Sequence, residues 1–202
     1  YLAAVERGDM ETAQRMVDAA ARAAGYSTIK QYHGTYNKNF TIFDTRRGES
    51  LPSSHLGAFF TPLKEYAEIA YGPKQFGGRI VTAYLKLNKP YEMTWKEAGG
   101  LTDKSAKELR HQLEGEGYDS VMLNSEVTPE VAVFSPNQIK SADTVTRDAT
   151  KNIIPLSQRF DETNLDIRYT QQPGTVTIPL QDFHANINSV MGEGWLQQAI
   201  DL

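Results

Sequence analysis

The chain has no cysteine among its 202 residues. That excludes a disulfide framework and a thiolate metal site and leaves the redox compartment open. It has no apolar run near the roughly 20 residues that cross a bilayer, and its start lacks the basic-then-apolar pattern of a secretory leader. No membrane partner is therefore expected. Positive charge is not in excess. A formal net charge of −4 argues against a mainly electrostatic nucleic-acid binder, although a local basic patch is compatible with it. Neither G-x-x-x-x-G-K-[ST] nor G-x-G-x-x-G occurs, so a nucleotide would not sit on a phosphate loop or a dinucleotide-binding crossover. His55, His111 and His184 show no ligand spacing, and no metal site is expected.

What is present is ordinary for a protein with a buried core: 40% hydrophobic and 10% aromatic residues. The length suits one domain with appendages or two small ones. The first residue is Tyr rather than Met, and the chain is expected to be a segment of something longer.

Read in order, the chain opens with helical texture. Tyr1 to Arg7 forms a short turn, and Asp9 is placed to cap a helix from Met10 to about Ala24. In that helix Ala13, Met16, Val17, Ala20 and Ala24 make an apolar stripe, with Arg15 and Asp18 left for water. Gln31 to Thr35 reads as a strand, and Phe40 to Phe43 as a short strand or an apolar plug. Arg46 to His55 reads as a mobile loop. Leu56 to Thr61 is the next strand, followed by Pro62 at the first position of a helix that runs to Tyr71. Arg79 to Leu87 is a longer strand, and Asn88 to Tyr91 turns the chain. Thr102-Asp103 caps a helix over 104–114, ended by Gly115 and Gly117. Tyr118 to Leu123 and Glu130 to Phe134 are strands flanking a loop from Asn124 to Pro129. Six or so strands with short helices between them predict an α+β domain on mainly antiparallel sheet. The expected organisation is a helical segment over 1–25, a domain over 26–150 and an extended tail over 151–202, with a terminal helix from Val190 to Leu202.

Three stretches carry chemistry-bearing residues. Tyr32-His33-Gly34-Thr35 puts an imidazole, donor and acceptor at once, beside a residue with no side chain, where a flat ligand can lie against the backbone. Phe60-Thr61 ends a strand, and Tyr71 follows Phe60 by eleven positions on the next helix. Glu130 heads an otherwise apolar strand, an odd place for a carboxylate unless it has a partner. Each has a plain structural reading as well: a satisfied histidine, a helix-to-sheet tyrosine, a glutamate paired with a structural cation.

Taken in this order, the three resemble the His-Tyr-Glu signature of ADP-ribosyltransferases of the diphtheria toxin and poly(ADP-ribose) polymerase type. They are most similar to the ADP-ribosyltransferase domain of the long polyvalent proteins of phages and mobile elements. Gln138, eight residues after Glu130, belongs to the same resemblance, as do Asn152 to Ser157 and Asp166 to Tyr169 beyond the domain. The resemblance covers about 26–142. It implies a split pair of antiparallel sheets with short flanking helices, and NAD bound in the cleft as a substrate rather than a redox cofactor.

It also implies roles. Glu130 is the catalytic acid, holding the ribose 2′-hydroxyl. His33 bonds the adenine-side ribose, Gly34 binds the carboxamide through its backbone, and Thr35 belongs to the same motif. Phe60 and Tyr71 sandwich the nicotinamide, and Thr61 touches ribose. Tyr66, on a different helix face from Tyr71, is expected in the core, and Glu126 is a fallback carboxylate. The implied activity is transfer of ADP-ribose to a macromolecule, protein ahead of nucleic acid. The alternatives are an NAD glycohydrolase acting as a toxin and a silent binding module. A monomer is expected for the excised domain, in a bacterial cytoplasm or delivered with a virion or mobile element.

Overall fold

Alternation along the strands decides the layering. In β3 (Arg79–Leu85) the buried Val81, Ala83 and Leu85 point one way and the fully buried Tyr84 the other. Both faces are therefore covered. The computed structural model describes residues 1–36, 40–48, 51–70, 78–124 and 128–168. The chain divides into one unit over Tyr1–Gln171 and a second over Gln172–Leu202, and every described residue belongs to the first. Tyr71, Glu126, His184 and the expected terminal helix lie outside the described residues.

Two sheets result. The first has the order β1-β3-β7, with β1 (Gln31–Thr35) and β7 (Ile139–Ser141) both antiparallel to β3. The second has the order β2-β6-β5-β4, formed by Ala58–Phe60, Glu130–Val133, Ser120–Asn124 and Pro90–Thr94 respectively. Val81, Ala83, Leu85 and Ile139 of the first sheet pack against Ala58, Phe60, Val131 and Val133 of the second. Among the described residues one antiparallel bridge stitches the sheets together: Tyr32 and Thr61 exchange backbone hydrogen bonds of 2.8 and 3.1 Å. The result is an α+β pair of split sheets with short helices.

Helices cover the outer faces. In α2 (Met10–Ala23), capped as expected by the Asp9 side chain on the Thr12 amide at 3.0 Å, Val17 and Ala21 pack on Tyr84 and Phe160. Met16 of the expected stripe is exposed, and Ala21 takes its place. Asp18 is not left to water either, since the Tyr84 hydroxyl donates to it at 2.5 Å. Tyr1 to Arg7 contains a helix, α1 (Leu2–Glu6), rather than a bare turn. On the other side α4 (Trp95–Gly99) and α5 (Asp103–Gly115) bury Ala98 and Leu113 against Val121, Leu123 and Ala132. Thr94 and Thr102 start these helices with reciprocal capping boxes to Glu97 and Ser105.

Several expectations are corrected. Pro90–Tyr91 does not merely turn the chain; it opens β4, an edge strand parallel to β5, where proline needs no ladder donor. The helix α3 runs over Lys64–Ala70, so Pro62 precedes it instead of starting it. The loop before His55 ends in a 3₁₀ turn over Pro52–Leu56 that buries Ser53 and Leu56. Phe40 and Phe43 are a plug against the core.

Residues beyond 150 are not an extended tail up to Arg168. Ile154, Phe160 and Ile167 are buried. Buried Arg159 donates to the carbonyls of Ser141 and Asp143 at 3.0 and 2.7 Å, and wholly buried Lys140 donates to those of Asn164 and Asp166 at 2.5 and 3.2 Å.

Candidate active site

The open edge of β2, where the two sheets part, borders a cavity of about 330 Å³. One wall is β1, through His33, Gly34 and Thr35. The opposite wall is Gly57, Ala58 and Phe59 leading along β2, with Trp95 beyond. The rim comes from the plug and its loop, through Phe40, Phe43, Asp44 and Arg47, and from Leu51, Ser53 and Ser54. Aromatic surface with a few charged and hydroxyl groups suits a flat, polar ligand.

Local sequence explains the walls. A Cβ on Gly57 would run into the Val133 carbonyl of β6, so only glycine lets the chain pass this close before β2 begins. Asp44 and Thr45 are held from behind by α5. Buried Arg110 donates to the carbonyls of Thr45 and Phe134 and, at 3.0 Å, to Glu114, while the Thr45 hydroxyl donates to Phe134 at 2.7 Å. At the plug, the Ile167 amide donates to the Thr41 carbonyl and the Thr41 hydroxyl to Asp166, both at 2.9 Å.

His33 is fixed in one orientation. Its Nδ1 lies 2.7 Å from the Phe59 carbonyl, and its ring packs between Phe43 and Phe60 at centroid distances of 5.0 and 5.3 Å. Burial pushes the imidazole below the usual histidine range, the Phe59 carbonyl opposing this only in part. A neutral ring that donates through Nδ1 presents Nε2 as an acceptor.

Phe60 differs from expectation. It is 1% exposed and sits in the inter-sheet core with Val131 and Val133, so it braces His33 and has no face left for a ligand. Of the two phenylalanines it is Phe59 that lines the cavity, half-buried and 6.3 Å from Trp95. One position along a strand changes the face.

Glu130 does not line the cavity. It is 2% exposed and stands opposite Leu123 in the ladder, on the same face as Ala132 and hence as Phe59, which pairs with Ala132. Extending the β2–β6 register by one step places it beside Thr61, which is buried and is the residue that bridges to Tyr32. The sheet junction thus brings together Glu130, Thr61 and the residue before His33. Tyr66 of α3 was expected in the core, but it is half-buried. Burial first, and then the negative charge of Glu130, raises its phenol above the ordinary value. Gln138 serves the fold, accepting from the Ser135 amide at 2.9 Å and donating to the Lys86 carbonyl at 3.0 Å.

The sequence model for ADP-ribosyltransferases in polyvalent proteins matches residues 25–148, more than half of the chain. The chain belongs to that family. The matched stretch holds both sheets, the cavity and Glu130, whereas α1, α2 and the packed segment after 150 lie outside it. No curated protein and no solved structure matches the chain.

Proposed function

We propose that the protein cleaves the nicotinamide–ribose bond of NAD and passes ADP-ribose to a macromolecular acceptor. The observation that carries this reading is Glu130, a carboxylate buried at the sheet junction, one ladder step from the bridge to the His33 strand. Breaking the glycosidic bond sends its electron pair away with nicotinamide and leaves an oxocarbenium-like sugar, as in glycoside hydrolysis. A carboxylate bonded to the 2′-hydroxyl stabilises that cation more than it stabilises bound NAD, which accelerates the step. The acceptor's nucleophile then bonds to the anomeric carbon and releases a proton.

The other groups have positions suited to binding. Nε2 of His33 accepts from a ribose hydroxyl, and the Gly34 backbone and Thr35 face the cavity beside it. Thr61 lies next to Glu130 and reaches the same sugar. Phe59 takes the stacking role expected of Phe60, with Tyr71 assigned the opposite face of the nicotinamide on the strength of the family resemblance.

Substituting Glu130→Gln is expected to leave NAD binding intact and lower nicotinamide release by roughly 10²–10³, the usual size for one transition-state contact. Equal release by wild type and variant sinks the proposal. Tagged NAD added with cell extract separates the products: a labelled macromolecule supports transfer, and free ADP-ribose alone supports a glycohydrolase.

A further inference from the structure

The plug from Phe40 to Phe43 walls the cavity without belonging to either sheet. Both phenylalanines line the cavity, and Phe43 sets its ring edge-on to His33 at 5.0 Å and to Phe40 at 4.8 Å. Among the described residues the plug's ladder contact is a lone antiparallel bridge, Ile42 to Asp166. Beside that bridge the Thr41 hydroxyl donates to Asp166 Oδ2, and the Ile167 amide to the Thr41 carbonyl, both at 2.9 Å. At the head of the plug the Phe40 carbonyl accepts from Arg79. The middle of the wall is thus pinned by a residue 125 positions further along the chain.

Asp166 is itself fixed from several sides. Its carboxylate accepts from the Arg168 amide at 2.9 Å and from Arg168 Nε and Nη2 at 3.1 and 2.9 Å. Its carbonyl accepts from buried Lys140 of β7 at 3.2 Å, and the next carbonyl, of Ile167, accepts from the Ser141 amide of β7 at 2.8 Å. A path of hydrogen bonds therefore runs from the first sheet through Asp166 and Thr41 to the segment whose ring packs on His33.

We infer that Asp166, which lies outside the stretch matched by the family, is a positioning residue for NAD: through Thr41 it holds the plug where the cavity can accept the dinucleotide. The inference rests on the reading of the cavity given above. An irregular segment released from such a bond samples other positions. NAD then binds only the fraction of molecules with the wall in place, and the apparent affinity falls by that fraction. Saturating NAD restores the wall, and with it turnover, because Asp166 takes no part in the chemistry assigned to Glu130.

The test uses the full chain, with NAD binding read by calorimetry and turnover by nicotinamide release. Thr41→Val removes the hydroxyl and keeps the shape. The expected result is a dissociation constant and KM for NAD raised roughly 5- to 20-fold, within the worth of one hydrogen bond to a charged group, with kcat near that of wild type. Thr41→Ser keeps the hydroxyl and is expected to restore binding to within about twofold of wild type. The double variant T41V/D166A should match D166A within about twofold, since the two residues act through one bond. A packing role alone would lower the melting temperature and leave NAD affinity unmoved. Wild-type affinity in T41V, T41S as weak as T41V, or losses that multiply in the double variant overturns the inference while leaving the NAD reading intact. Failure of the wild-type chain to bind NAD overturns that reading, and this inference with it.

Discussion

Phe59 and Phe60 are the same residue type one bond apart, and the pleat gives them opposite fates. Phe60 meets Val131 across the ladder and disappears between the sheets, whereas Phe59 meets Ala132 and opens onto the cavity. Their alanine variants should separate cleanly. Phe60→Ala is expected to cost about 3–5 kcal/mol in urea unfolding, the range for deleting a buried phenyl. Phe59→Ala should cost less stability and weaken NAD binding roughly 3- to 10-fold in calorimetry, matching about 0.5–1.5 kcal/mol of ring stacking. If F60A rather than F59A reduces NAD affinity at unchanged stability, the assignment of faces is wrong. The spacing of aromatics in the sequence could not make this choice, because a one-residue slip preserves composition and inverts every side chain.

At the scale of elements, the cavity wall is only as firm as the helix behind it. The loop carrying Asp44 and Thr45 is irregular, and it takes its shape from Arg110 of α5. That helix is in turn set by its first residue: Thr102 accepts from the Ser105 amide at 3.2 Å, and Ser105 accepts from the Thr102 amide at 2.8 Å. Thr102→Ala should lower unfolding stability by about 1 kcal/mol through the lost cap, measurable as a shift in the denaturation midpoint. No change would mean that packing of Leu113 and Arg110 alone fixes the helix. Both caps of the longer helices were legible in the sequence, since Asp9 and Thr102 are short polar side chains just ahead of periodic apolar runs. Strand β4 was not. Its pairing is parallel and depends on the α4–α5 crossover to β5, so Pro90 looked like a turn until the partner strand was in place.

Across the whole described unit, the family's residues 25–148 are embraced by chain on either side. The segment after 150 contributes Ile154, Phe160 and Ile167 to the interior, and its Asp166 and Ile167 hold the plug that rims the cavity. Burial of each large apolar side chain stabilises by about 1.5–3 kcal/mol, against a total margin of roughly 5–15 kcal/mol for a domain. A chain cut after Thr150 should therefore lose cooperative unfolding, or melt far below the full chain, by circular dichroism. An unchanged melting curve would show the segment to be dispensable. Composition concealed this role, because Pro, Asn and Asp interrupt the apolar residues and no helical or strand period survives.

Sequence alone determined most of the strand-and-helix order, the caps of α2 and α5, the alternating faces of β3 and the family, since each is a local pattern of residue types that any fold must obey. The tertiary structure decided which of Phe59 and Phe60 meets the cavity, that Glu130 stands beside Thr61 at the sheet junction, and that the segment after 150 closes the core. Those outcomes depend on pairing register and on contacts between residues distant along the chain, and neither leaves a period or a spacing to be read in advance.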